Sequence, residues 1–112
     1  MTTPDPQALA RAQELLKQLW ERHKDTIFER LELLENVSAS ALTMEDSARE
    51  DARSAAHKLA GALGTFGYKQ GTEWARNSEL IFSNPNLGPA EQQQLIENAR
   101  SIRKLLESSQ ED

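Results

Sequence analysis

Over most of the chain the apolar residues recur at intervals of three and four, and this period constrains the fold more than any other feature. A helix turns ~100° per residue, so such spacing gathers apolar side chains into one stripe. Leu16, Leu19, Ile27, Leu31, Leu34 and Val37 form the first run, and Leu95, Ala99, Ile102 and Leu106 the last. Between them, Trp74, Ser78, Ile81 and Phe82 share one side of a shorter segment. Runs of β-branched and aromatic residues, which strands need, are missing, whereas Ala, Leu, Glu, Gln, Lys and Arg are strong helix formers.

The breaks in the period place the helix ends. Pro4 and Pro6 close a short polar lead-in, and Asp5 can cap the helix that begins there. The spacing predicts helix from Gln7 to about Leu42, read as a short first helix joined to a longer second near Glu21–Lys24. Thr43 to Asp46 reads as a turn and cap, with the Thr43 hydroxyl free to accept from amides two or three residues on. A further helix is expected from Met44 to Phe66, stopped by Gly67, and another from Lys69 to Phe82. Ser83–Gly88 is a run of turn formers, and Pro89 suits the first turn of the last helix. Amphipathic helices on short connections pack as an antiparallel bundle. The expectation is therefore an all-α, antiparallel four-helix bundle with a short extra N-terminal helix. Its limits are a lead-in over 1–6, a bundle over 7–107, and a polar, frayed tail or linker over 108–112.

Charge and composition exclude several classes of function. With 18 acidic against 13 basic residues the formal net charge is −5, and no basic stripe exists to displace counterions from duplex nucleic acid. The opening Met-Thr-Thr-Pro-Asp-Pro lacks the basic-then-apolar pattern of a secretory signal, and no stretch reaches the ~18 apolar residues of a membrane span. The chain is thus expected to be soluble. Without cysteine there is no disulfide framework and no thiolate nucleophile or ligand, which suits a reducing cytoplasm.

One helix carries more than scaffold. On a wheel of Asp46–Phe66, Ala52, Ala55, Leu59, Ala62, Leu63 and Phe66 fall in one sector, the core face. His57 lies almost opposite, alongside Arg53, Ser54, Gly61 and Gly64. A glycine costs ~1 kcal/mol relative to alanine in a helix interior. Two of them, one and two turns beyond an exposed histidine, strip side chains from around an imidazole and leave it accessible to something large. An imidazole of ordinary pKa is mostly neutral at pH 7, with one nitrogen lone pair free for attack on a phosphoryl group. An exposed mid-helix histidine is by itself more often idle than functional; the flanking glycines are what single this one out.

The segment Ala56-His57-Lys58-Leu59-Ala60-Gly61-Ala62-Leu63-Gly64-Thr65-Phe66-Gly67 resembles the signature of histidine-phosphotransfer (HPt) domains. His57, Leu59, Gly61, Ala62, Phe66 and Gly67 match it in register. The resemblance implies a phosphorelay carrier that takes phosphate from a receiver phospho-aspartate onto the outer ring nitrogen of His57, Nε2, and passes it on. It implies as partners the receiver domains of response regulators or hybrid sensor kinases. The chain is expected to act as a monomer or as one domain of a larger regulator. The Mg²⁺ of such transfers belongs to the receiver, so no cofactor or metal is expected on this chain. Gly61 would leave room for the phosphoryl group and the partner's active site. Glu79, 22 residues after His57, occupies the spacing of the acceptor that holds the other ring nitrogen in this family. It reads equally as a solvated glutamate. One position departs from the pattern: Ala60 stands where lysine is usual. Lys58 adjoins His57 instead, ~100° around the helix, on a stem long enough to swing its ammonium toward a phosphate.

The remaining candidates are weaker. His23 falls near the apolar phase of its helix and reads as a core or helix-break histidine. The two histidines lack the H-E-x-x-H spacing of a zinc site. Trp20, Trp74, Phe28 and Phe66 read as packing residues, and the Glu45–Asp51 region as a solvated helix start. No glycine-rich nucleotide loop is present, so the chain is not expected to be an enzyme that makes its own phosphoryl donor. Besides the phosphocarrier, two readings stay open: an interaction module of the same fold with an idle histidine, and a helical regulator unrelated to phosphate.

Overall fold

The structure is a computed structural model and describes residues 5–110. It has four helices: α1 (Pro6–Ala39), α2 (Asp46–Thr65), α3 (Lys69–Phe82) and α4 (Pro89–Ser109). Each lies close to two others in the order α1–α2–α3–α4 and back to α1, so the bundle is square and the backbones across its diagonals stay apart. The short connections make neighbours antiparallel.

The extra N-terminal helix is not a separate element. α1 runs unbroken through Glu21–Lys24, with a surface ion pair of 2.8 Å from Lys24 to Glu21 across the expected join. Nothing between Gln7 and Ala39 is glycine or proline, and a helix of good formers is not interrupted without such a residue or a packing reason. Asp5 caps it as expected, accepting from the Gln7 amide at 3.0 Å, with Pro6 at the first helical position. At 34 residues α1 is ~51 Å long against ~30 Å for α2. That accounts for the 53 × 29 × 21 Å shape: α1 is exposed throughout 6–19, and from Gln13 on it edges a hollow shared with Phe66, Tyr68 and Ser109.

The α1–α2 connection also differs from expectation. The Thr43 hydroxyl donates backward to the Ser40 carbonyl at 3.3 Å, Glu45 is the N-cap of α2, and no side chain caps that helix. Turn bonds from Ala41 to Ser38 and from Thr43 to Ser40 tighten the chain before α2 can begin. At the other end of α2, Gly67 takes φ +82°. The Tyr68 amide then reaches the Leu63 carbonyl at 2.9 Å and the Gly67 amide that of Gly64 at 3.2 Å. This is the Schellman closure that only a left-handed residue permits without strain. α4 stays helical to Ser109 where a frayed tail was expected. The Tyr68 hydroxyl meets Ser109 Oγ at 2.7 Å, and Trp20 Nε1 donates to Gln110 at 3.2 Å. The rest of the tail, residues 111–112, and the lead-in over 1–4 lie outside the described residues.

Ile27, Leu31 and Leu34 of α1, Phe82 of α3, and Leu95, Ile102 and Leu106 of α4 fill the core against Leu59 and Leu63 of α2. α2 otherwise buries alanines: Ala52, Ala55, Ala56 and Ala60. Ala56 and Ala60 belong to the core, whereas Ala62 and Phe66, expected there, are half-buried. The buried sector is therefore turned toward α3. Small residues on both sides set that seam. A Cβ on Gly71 of α3 would stand 3.0 Å from Leu63 Cδ1 and 3.3 Å from Leu105 Cδ2, so a larger residue there would have to push these leucine side chains aside. The Thr72 hydroxyl, in the same turn, crosses the seam to the Ala60 carbonyl at 3.1 Å.

Candidate functional site

His57 sits mid-way along α2, with its side chain 70% exposed. Because the core sector leans toward α3, the imidazole stands at the lip of the α2–α3 seam rather than diametrically opposite the core. That places it in reach of α3. His57 Nδ1 lies 3.0 Å from Glu79 Oε2. A carboxylate can only accept, so Nδ1 donates, and the tautomer with its proton there leaves the Nε2 lone pair free. Glu79 is itself fixed: its side chain is 22% exposed, and Arg53 Nη1 approaches the same oxygen at 3.4 Å. Arg53 is held in turn by Glu50, which accepts from Nε at 2.9 and 3.0 Å and from Nη2 at 2.6 Å. This pairing raises the Arg53 pKa and lowers that of Glu50, each chiefly through the hydrogen bonds between them.

The glycines differ in their surroundings. A Cβ built on Gly61 would meet nothing within 4 Å, so no packing demand explains glycine there. A Cβ on Gly64 would touch Thr72 Oγ1 at 3.4 Å. Gly61 opens onto a concavity of about 310 Å³ that it shares with His57, Ala60, Arg76, Glu79 and Leu80. Gly64 edges a separate hollow with Gly67, Lys69 and Thr72. Of the residues selected from sequence, then, the tertiary structure brings together His57, Glu79 and Gly61, with Arg53 behind Glu79. Lys58 is exposed but lines no part of the concavity, and Ser54 is half-buried beside it on α2 without a role in its walls.

Arg76 and Leu80 were not singled out from sequence. Both are exposed, Leu80 to 70%. The signal was available: Arg76 stands one turn before Glu79 and Leu80 one turn after Arg76, so a role for Glu79 implicates the face that carries both. His23 is neither a core residue nor at a helix break. It is exposed on the continuous α1 and edges an apolar cleft of about 290 Å³ between α1 and α2, with Ile27 and Phe66.

No helix among the described residues is long and apolar enough to cross a membrane. No curated protein and no solved structure gives a significant match to the chain. The family model for the Hpt domain, in contrast, matches residues 8–112, which takes in all of the bundle from the first turn of α1. Hpt domains are phosphocarriers that work with receiver domains in phosphorelays, and they are not catalysts in their own right. A helical bundle with an exposed histidine in the family's motif, matched over essentially its whole length, belongs to the Hpt-domain family.

Proposed function

We propose that this chain accepts a phosphoryl group on Nε2 of His57 from the phospho-aspartate of a receiver domain and delivers it to a second receiver. The observation that carries the reading is the hydrogen-bonded pair of His57 Nδ1 and Glu79 at 3.0 Å beside the open space over Gly61. One fixes which nitrogen is nucleophilic, and the other leaves that nitrogen room to react.

In the forward step the Nε2 lone pair forms the N–P bond as the P–O bond to the receiver aspartate breaks. The electron pair of that bond leaves on the aspartate carboxylate. No proton needs to depart: Nδ1–H stays against Glu79, the ring becomes formally cationic, and the phosphoryl group is a dianion. Glu79 thus stabilises positive charge that develops on the ring, as well as the tautomer that reacts. Delivery is the reverse step onto another aspartate. Mg²⁺ held by the receiver supplies charge neutralisation at the transferring group, and this chain supplies the nucleophile and its orientation. The carrier has no phosphoryl donor of its own, and its setting is the cytoplasm, in keeping with a cysteine-free chain.

The test is phosphorylation by a labelled receiver, and separately by phosphoramidate. The wild-type chain should acquire acid-labile, base-stable phosphate. His57→Gln should acquire none, while its helical circular dichroism and thermal midpoint stay the same, since an exposed substitution moves stability by no more than ~0.5 kcal/mol. Labelling of His57→Gln would move the site to His23. No labelling of the wild type by either donor would leave a bundle that only binds partners.

A further inference from the structure

Transfer places two negative charges beside Glu79, and position 60, where the family usually has lysine, is an alanine buried in the α2–α3 seam. A cation that faces the phosphoryl group from elsewhere would favour the phosphorylated state. We propose that Arg76 of α3 is that cation: it reaches across the concavity to the phosphoryl oxygens on His57 Nε2. This rests on the reading of His57 as the phosphoacceptor.

Three observations select Arg76. It lines the same concavity as His57, Gly61 and Glu79, one turn before Glu79 on the same face of α3. Its guanidinium is exposed and, among the described residues, makes no hydrogen bond or ion pair, so engaging a phosphate breaks nothing. The other cations nearby are less suitable. Arg53 is committed to Glu50 and to Glu79, and Lys58 lies outside the concavity. A guanidinium also offers a planar fork of donors that matches phosphate oxygens, a stronger and more directional contact than a point charge. Gly61, with nothing within 4 Å of where its Cβ would be, leaves the phosphoryl group space between the two helices. The arrangement splits the charges of the phosphorylated state: Glu79 faces the cationic ring through Nδ1, and Arg76 faces the dianion on Nε2.

The experiment uses the full chain, phosphorylated with phosphoramidate, freed of donor and followed by ³¹P NMR. Arg76→Ala should shorten the phosphohistidine lifetime about tenfold, the scale of losing one charge-assisted hydrogen bond. It should also raise the pKa at which the phosphoryl group itself titrates, because the guanidinium favours the dianion. Glu79, Arg53 and Lys58 remain in place in that variant, so the change reports Arg76. Arg76→Lys should recover most of the lifetime and Arg76→Gln should not, a pattern that a structural role would not produce. The thermal midpoint of Arg76→Ala should match the wild type, and the distant, exposed Lys104→Ala should alter none of these readouts. Wild-type lifetime and phosphoryl titration in Arg76→Ala would overturn the assignment, as would failure of lysine to rescue. Those results would leave His57 as the acceptor, whereas a wild-type chain that takes no phosphate on His57 would remove both readings together.

Discussion

Gly61 offers the cleanest separation of fold from function, because the structure removes the usual excuse for a glycine inside a helix. A Cβ there meets nothing within 4 Å, the backbone is ordinary helix, and the residue is exposed. Gly61→Ala should therefore gain the whole helix-propensity difference, ~1 kcal/mol, with no steric loss to set against it. In a domain of this size that is a rise of about 4 °C in thermal midpoint. Gly64→Ala should gain no more than that, since its Cβ would come to 3.4 Å from a Thr72 hydroxyl held in place by the Ala60 carbonyl. Urea unfolding gives the comparison: the midpoint should rise while the slope stays constant. A stabilising replacement that the natural chain does not use points to a requirement other than folding. Gly64→Gln tests that requirement. It stands seven residues beyond His57, ~10 Å along the helix axis, too far to touch a small donor at Nε2. It should leave phosphoramidate labelling nearly unchanged and slow transfer from a phosphorylated receiver severalfold, because a protein must cover that flank to bring its aspartate down. Equal effects on both donors would refute the docking surface. Destabilisation by Gly61→Ala would refute the assignment of the exposed side.

Glu79→Ala should slow acceptance or shorten the phosphorylated lifetime without abolishing labelling, since the nucleophile and the receiver's metal remain. Lys58→Ala should act in the same direction by a smaller factor than Arg76→Ala, and a larger effect would return the phosphate contact to Lys58. Asn98 is 2% exposed, donates to Asn77 at 2.8 Å and to Ser78 at 3.1 Å, and accepts from Gln94 at 2.9 Å. Asn98→Ala should cost about 2 kcal/mol through lost hydrogen bonds and a cavity, read as a lower urea midpoint. An unchanged midpoint would mean that this network between α3 and α4 contributes nothing to the fold.

The helix period, Gly67 and the Pro89 start were legible along the chain because each acts locally. Spacing of three and four defines a face, a left-handed residue ends a helix, and proline fits only the first turn. The same local rules singled out His57 with Gly61 and Gly64. They failed where the decision was not local. Whether α1 breaks near Lys24 depends on what packs along it, and Trp20 and Ile27, on either side, both meet the bundle from one continuous helix. Whether Thr43 caps forward or bonds back depends on where α2 is pulled by its partners. The rotation of α2's buried sector toward Ala56 and Ala60 depends on how closely α3 can lie, which Gly71 and Thr72 settle from another helix. That rotation moves His57 from the back of its helix to the lip of the seam. By itself the sequence determined an exposed imidazole with cleared surroundings. Only the packing of α3 against α2 put a carboxylate on its Nδ1 and the Arg76 side chain on the same concavity, because contacts between residues some twenty positions apart are fixed by how helices meet and not by how each one turns.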